Sequence, residues 1–244
     1  MSYFLSAENL RLGEEIEISG EEAKHIMLSR RIKIGEKINL QGPDEKRFEA
    51  EILDLNKKSI NLKILQEIST PKEPEAQIIL FQALVKEKAL EYIIQKCTEL
   101  GVAKIVIFQS VRAPFSLQDE QKKIGRLKKI SQEAAKQCDR VKSPPIEFLQ
   151  FEKILEAAGD LDRFFILDKK GGQTFPQAAQ KNNFTLKNIG FFIGPEGGLT
   201  RDEILKLSQT KNAAVISMGP RLLRADTAAL SALSIIQSLF GDLK

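Results

Sequence analysis

Ile189-Gly190-Phe191-Phe192-Ile193-Gly194-Pro195-Glu196-Gly197-Gly198-Leu199-Thr200-Arg201-Asp202-Glu203-Ile204-Leu205 runs from a short apolar segment, through a glycine-rich loop, into a helix start. Residues 189–193 have the unbroken apolar character of a strand buried on both faces. Thr200 followed three residues later by Glu203 is a capping box, in which hydroxyl and carboxylate each satisfy a backbone amide of the first helical turn. Strand, loop and helix in that order place a ligand site at the carboxyl end of a strand of an α/β sheet. Glycines let backbone approach a ligand closely. The spacing matches neither G-x-G-x-x-G nor G-x-x-x-x-G-K-[ST]. Taken alone, the loop supports either a ligand site or a turn.

The next junction repeats the pattern. Ala213-Ala214-Val215-Ile216-Ser217 reads as a strand, and Met218-Gly219-Pro220-Arg221-Leu222-Leu223-Arg224-Ala225-Asp226-Thr227 leads into a last helix from about Ala225 to Phe240. Loops on neighbouring parallel strands open at one end of the sheet. Arg221 and Arg224 there suit an anionic ligand or charge developing in a reaction; ion pairs with Glu196 or Asp226 are the competing reading. Upstream, strands at Ile78 to Leu84, Ile105 to Phe108 and Phe164 to Leu167 alternate with helices, which predicts a parallel sheet covered on both faces. One helix carries Ala89, Leu90, Ile93, Ile94, Cys97 and Leu100 at helical spacing and stops at Gly101. Another, about Asp119 to Cys138, has an apolar face and a basic one with Lys122, Lys123, Arg126, Lys128 and Lys129, either solvated or in contact with RNA.

Before the proline-containing linker Ser69 to Glu75 the pattern is different. Period-two alternation at 15–18, 37–40, 48–52 and 59–64 predicts half-buried strands, with a helix from Glu21 to Arg31, and so a small barrel. The expected domains are 1–70 and 71–244. His25 lies beside the basic run Arg30-Arg31-Ile32-Lys33, as a packed surface residue or an RNA contact. In 244 residues, 42% hydrophobic and 29% charged, there is one histidine and there are two cysteines, Cys97 and Cys138. That excludes a disulfide framework, argues against a metal site, and suggests core thiols. No apolar run has membrane-spanning length and no signal-type core opens the chain, so a cytoplasmic protein is expected. A net charge of +4 permits an anionic partner such as RNA.

The paired loops, 193–200 and 218–224, closely resemble the signature of the ribosomal RNA small subunit methyltransferase E family, the 16S rRNA (uracil-N3)-methyltransferases of the SPOUT class. The resemblance spans the chain. Gln95-Lys96-Cys97-Thr98-Glu99-Leu100-Gly101-Val102 is similar to the family's helix end and Ser110-Val111-Arg112 to the loop after it. Glu133-Ala134-Ala135-Lys136-Gln137 with Arg140 resembles a further block, and so does the pattern of His25, Arg31 and Gly35. Two positions depart from it: Asp226 is one methylene shorter than the usual glutamate, and Ala113 replaces a common serine.

The resemblance implies an α/β SPOUT domain, a parallel sheet threaded into a trefoil knot, behind a PUA-like RNA-binding barrel. It implies that loops 193–199 and 217–223 hold S-adenosylmethionine (SAM), through Leu167, Ile193, Gly194, Pro195, Glu196, Gly197, Gly198, Met218, Gly219, Leu222, Leu223, Arg224 and Thr227. It also implies a homodimer acting on 16S rRNA in the small ribosomal subunit. Methylation of uracil N3 requires loss of a weakly acidic proton. Arg221 or Arg224 would stabilise the resulting anion, and Glu196 or Asp226 would take the proton or orient the SAM amino group. RNA contacts are expected from Arg30, Arg31, Arg112 and Arg140. Two alternatives stay open: a non-catalytic RNA-binding assembly factor, and a SPOUT enzyme acting elsewhere on RNA, such as a ribose 2′-hydroxyl. A nucleotide-binding oxidoreductase is disfavoured by the missing dinucleotide spacing.

Overall fold

A computed structural model describes residues 3–30, 32–113, 116, 122–169, 171–179 and 186–243, the side chains of Ser29 and Arg30 excepted. It separates into two compact units, Met1–Lys72 with Ala135–Lys142, and Glu73–Ala134 with Ser143–Lys244.

The first unit contains β1 (Tyr3–Leu5), β2 (Glu15–Ser19), α1 (Gly20–Arg30), β3 (Lys37–Gln41), β4 (Arg47–Leu55) and β5 (Ser59–Ile68). Alternation has its expected consequence: Ile38, Leu40, Phe48, Ala50, Ile52, Ile60, Leu62 and Ile64 bury one face. The sheet order is β1-β3-β4-β5-β2. β1 lies parallel to β3 and the other pairs are antiparallel. β1 and β2 are edges, unpaired with each other among the described residues, so the expected barrel is a half-barrel. Helix α1 packs against both edges, its Ala23 and Ile26 fully buried. Glu22 accepts a hydrogen bond from the amide of Leu5 at 2.9 Å, occupying a β1 donor that no strand takes. At three residues, β1 is too short to show alternation in sequence.

Residues 135–142 belong to this unit because Arg47 holds them. Its side chain, 5% exposed, pairs with Asp139 at 2.6 Å. It also donates to Gln41 Oε1 and to the carbonyls of Asp139 and Arg140. The guanidinium lies 4.0 Å over the Tyr3 ring, and the Tyr3 hydroxyl donates to the Arg140 carbonyl at 2.6 Å. Lys136 adds a bond to Glu22.

The second unit contains β6 (Gln77–Ala83), α2 (Glu87–Glu99), β7 (Lys104–Phe108), α3 (Ile124–Gln137), β8 (Ile146–Leu149), α4 (Phe151–Gly159), β9 (Arg163–Leu167), α5 (Phe175–Ala179), β10 (Asn188–Ile193), α6 (Arg201–Ser208), β11 (Ala213–Ile216) and α7 (Ala225–Phe240), α3 ending in the segment counted with the half-barrel. The sheet order is β11-β9-β10-β6-β7-β8, and every pairing is parallel. Both faces are covered, as the continuous apolar strands require. Ile78 and Leu80 face a core with Ile93, Ile94, Cys97, Leu233 and Ile236 from α2 and α7. Phe81 and Ala83 face another with Ile154, Ala158 and Leu207 from α4 and α6. On that second face Phe108 and Phe192 lie 4.4 Å apart, and Phe164 packs edge-on against both Phe81 and Phe192.

Gly101, with φ of +80°, ends α2 in the left-handed region open to glycine. The basic helix begins at Ile124 rather than Asp119: Lys122 and Lys123 form a turn, and 119–121 lie outside the described residues. Cys138 sits past the end of α3 and is half-buried, so only Cys97 is a fully buried thiol. β8 and α4 had no expectation; β8 is short and its alternation weak.

The segment after β9 closes tightly on the end of β11. Gln173 forms a parallel bridge with Ile216 and its carbonyl accepts from Ser217, while the Ile216 carbonyl accepts from Asp168. A Cβ on Gly171 would stand 2.5 Å from the Ile216 carbonyl carbon, a distance only glycine permits.

Candidate active site

Because the strands are parallel, the loops after β6, β7, β9, β10 and β11 all leave the sheet at one end. β9 lies between β10 and β11, so Leu167, its last residue, sits between the two glycine-containing loops.

The loop after β10 has one backbone bond of its own, from Gly198 N to the Pro195 carbonyl at 2.8 Å. Gly198 has φ of +69°, and at Gly194 a Cβ would meet Leu199 N at 3.0 Å. Ile193 and Leu199 are buried on opposite faces of the sheet and anchor the loop at each end. The capping box is present: Glu203 N donates to Thr200 Oγ1 at 3.2 Å, and Thr200 N donates to Glu203 Oε2 at 2.7 Å. Glu203 has a wider reach than a cap. Its other oxygen accepts from Val111 N at 3.0 Å, and Ser110 adds a side-chain bond. Burial pushes this carboxyl up, but the bonds from Thr200, Val111 and Ser110 outweigh it, and its pKa lies below the ordinary value.

Glu196 directs a carboxylate oxygen to Lys86 N, 3.4 Å away, at the N-terminus of α2, where the helix dipole favours negative charge. Arg112, expected at RNA, is turned onto this loop. Its Nη1 donates to the carbonyls of Gly197 at 3.0 Å and Leu199 at 3.4 Å.

In the second loop Gly219, with φ of +97°, has open space where a Cβ would project, and its amide donates to Ser217 Oγ. Met218 and Leu223 are half-buried, whereas Leu222 is 77% exposed. Arg224 is the N-cap residue of α7 without a side-chain cap bond. Among the described residues neither Arg221 nor Arg224 has an ion pair or side-chain hydrogen bond; both are exposed. The competing idea of ion pairs with Glu196 or Asp226 therefore fails. Two unneutralised cations at the positive end of a helix are poorly placed for stability and well placed for an anion. Asp226 accepts from Thr227 N at 2.7 Å and from the Thr227 hydroxyl.

An open cleft of about 460 Å³ adjoins the first loop, lined by Gln109, Ser110, Gln150, Phe151, Thr200, Asp202, Glu203 and Lys206. Sequence reasoning missed it, because Gln150 and the start of α4 supply one wall. It missed the partnership of Arg112 and Glu203 with the loops too; the only signal was that Ser110-Val111-Arg112 follows a strand of the same sheet.

Of the expected RNA contacts, Arg31 and the Arg30 side chain lie outside the described residues. Arg140 is half-buried in the first unit, where its carbonyl is held by Tyr3 and Arg47. The basic helix is partly neutralised: Lys123 bonds Glu87, and Arg126 pairs with Glu87 and Glu91. Lys128 and Lys129 are exposed. His25 packs edge-on against Phe4. Among the described residues no cluster could hold a metal ion, and no helix is long and apolar enough to cross a membrane.

Residues 71–237 match the RNA methyltransferase domain family and residues 18–65 the RNA methyltransferase PUA domain family. The chain is 30% identical over 243 residues to ribosomal RNA small subunit methyltransferase E of Bacillus subtilis (strain 168), covering 96% of this chain and 94% of that protein. In structure it is similar to a Legionella pneumophila methyltransferase solved with bound SAM, with a TM-score of 0.87, 29% identity, and coverage of 99% and 98%. It is similar also to the ribosomal RNA small subunit methyltransferase E of Neisseria gonorrhoeae bound to S-adenosyl methionine. There the TM-score is 0.86, the identity 26%, and both chains are fully covered. With a PUA half-barrel preceding a six-stranded parallel sheet, and relatives matched from end to end, the chain belongs to the ribosomal RNA small subunit methyltransferase E family of RNA methyltransferases.

Proposed function

We propose that this protein uses SAM to methylate N3 of a uridine in 16S rRNA of the small ribosomal subunit. The observation that carries the reading is the pair of exposed arginines, Arg221 and Arg224, neither partnered through its side chain among the described residues, at the start of α7 beside the two glycine-containing loops. The loops suit the cofactor: Gly198 and Gly219 both leave open space where a side chain would project. Leu167, Ile193 to Gly198, Met218, Gly219, Leu222, Leu223, Arg224 and Thr227 would hold it, largely through backbone. When bound, SAM supplies an electrophilic methyl group on a sulfonium sulfur.

The protein's own work is orientation and charge. Holding N3 in line with the methyl converts a bimolecular encounter into a positioned one. Arg221 and Arg224 stabilise the uracil anion as the N3 proton leaves. This is the larger effect, because carboxylates as a class are far weaker bases than a deprotonated imide nitrogen. Asp226, in the first turn of α7, takes the proton or orients the SAM amino group. Glu196, held at the start of α2, contributes by shaping the loop. The tight closure of Asp168, Gly171 and Gln173 on the end of β11 supports a threaded, knotted chain. The exposed Leu222 supports a homodimer that covers the second loop. Arg30, Arg31, Arg140, Lys128 and Lys129 would meet rRNA, in the cytoplasm.

The test is methyl transfer from labelled SAM to small subunits of a strain lacking this activity, followed by digestion and identification of the nucleoside. N3-methyluridine is expected. Another methylated nucleoside would overturn the position, and absence of SAM binding would overturn the enzyme reading.

A further inference from the structure

The Gly194–Thr200 loop is held in shape mainly from outside itself. It contains Gly194, Gly197 and Gly198, the residues with most backbone freedom to lose on ordering. Against this it has a single internal backbone bond, Gly198 N to Pro195 O. Beside the Glu196 bond to Lys86 N and the buried ends Ile193 and Leu199, it is tied to the segment after β7. Arg112 Nη1 donates to two carbonyls of the loop, those of Gly197 and Leu199. In the opposite direction Glu203, at the loop's far end, accepts from the Val111 amide and from Ser110 while its second oxygen accepts from Thr200. The arginine and the glutamate thus cross between the same two segments in reverse senses. Both bonds are charge-assisted, the stronger kind. Glu203 is 4% exposed, so water does not compete well for its oxygens. Arg112 also packs its stem against Gly197, where an added Cβ would meet Arg112 Cβ and Cδ at 3.5 and 3.6 Å.

We propose that Arg112 and Glu203 are positioning residues that brace the glycine-rich loop in its cofactor-receiving shape. The proposal rests on the assignment of that loop to SAM. Ordering flexible backbone is a cost that otherwise falls on ligand binding, and a brace present in the free protein transfers it to folding. Arg112 therefore acts on cofactor affinity rather than as a phosphate contact for RNA. The two roles leave different signatures. Loss of a phosphate contact reduces the slope of log affinity against log salt by about 0.7 for single-stranded RNA and leaves loop order intact. Loss of a brace loosens the loop and weakens SAM binding, with the salt slope unchanged.

The experiment compares the full-length protein with Arg112→Ala, Arg112→Lys and Glu203→Gln. It measures hydrogen exchange of residues 194–200 in the free protein, SAM affinity by calorimetry, and the salt dependence of binding to a 16S rRNA fragment. Arg112→Ala should speed exchange of the Gly198 and Thr200 amides and weaken SAM binding roughly tenfold, the scale of one charged hydrogen bond. Both Arg112 bonds come from one nitrogen, so Arg112→Lys should recover most of the loss. Glu203→Gln, which keeps the shape but replaces one acceptor by a donor, should speed exchange on both segments. Unchanged exchange in Arg112→Ala would overturn the brace, and an accompanying drop in salt slope would assign Arg112 to RNA instead. If exchange rises in the variants but the parent protein binds no SAM, the brace stands and the cofactor assignment falls.

Discussion

The amide of Val111, in the segment after β7, donates to Glu203 Oε1 at the first turn of α6 across 3.0 Å. The same carboxylate closes the capping box with Thr200. A group with so many donors to its charged form is more acidic in the folded chain than in the unfolded one. Stability from this group is therefore complete above the unfolded carboxyl value, near 4.3, and is lost as pH falls through the depressed folded value. Urea denaturation between pH 3 and 6 should show stability falling on the acid side. In Glu203→Gln, stability at pH 6 should be lower and its fall below pH 4.5 shallower. An equally steep fall in the variant would assign the acid lability to other carboxylates.

Gly171 and Gly172 adjoin each other and differ in surroundings. A methyl on Gly171 would meet Ile216 and Ser217 backbone at 2.5 to 2.7 Å, whereas Gly172 has open space. Backbone cannot yield as a side-chain tip does. Gly171→Ala should cost about 2–3 kcal/mol, near the upper end for overpacking, and lower the melting temperature by roughly 5–10 °C. Gly172→Ala should change it by less than about 2 °C. Thermal melts of the two variants side by side make the comparison.

In the half-barrel, Arg47 combines a 2.6 Å ion pair to Asp139, bonds to two carbonyls and a stacked Tyr3 ring. Lysine has no fork and no planar face to reproduce this. Arg47→Lys should destabilise the unit by about 2–3 kcal/mol, the range for losing charged hydrogen bonds at a buried site. Chemical denaturation followed by Tyr3 fluorescence reports it, with a Tyr92→Phe background removing the other tyrosine.

Among the described residues Arg224 has no side-chain partner that its removal would orphan. Arg224→Ala should leave stability within about 0.5 kcal/mol and SAM affinity within about threefold. Methyl transfer should fall about 100- to 1000-fold, the usual effect of deleting one group that stabilises transition-state charge. Single-turnover transfer to small subunits measures this. Undiminished turnover would remove the arginine from the chemistry and direct attention to Arg221.

Much of this architecture is legible as local pattern. Strands β3, β4 and β5 follow from strict alternation, since a half-buried strand shows one face per two residues. The parallel sheet follows from β6 and β10, whose unbroken apolar runs make sense only with helices on both sides. Thr200 and Glu203 announced a helix start, and Gly101 a helix end. These features depend on interactions within a few residues, so a linear chain records them. The two glycine loops with Arg221 and Arg224 were visible for the same reason, each being a contiguous strand–loop–helix junction.

Other features depend on residues far apart in the chain, which spacing does not encode. Nothing in Ser110-Val111-Arg112 indicates that its arginine will reach Gly197 and Leu199, or that Glu203 will reach back to Val111. Nothing in Arg47 names Asp139 as its partner, or places 135–142 with the half-barrel. The half-barrel's open side could not be read either, since closure depends on whether two edge strands meet after the sheet has curled. Local sequence specified most of the elements, β1, β8 and α4 excepted, and the chemical groups on their ends. Which of those groups face one another was settled by strand order, because hydrogen bonds of about 3 Å exist only once packing has brought distant segments together.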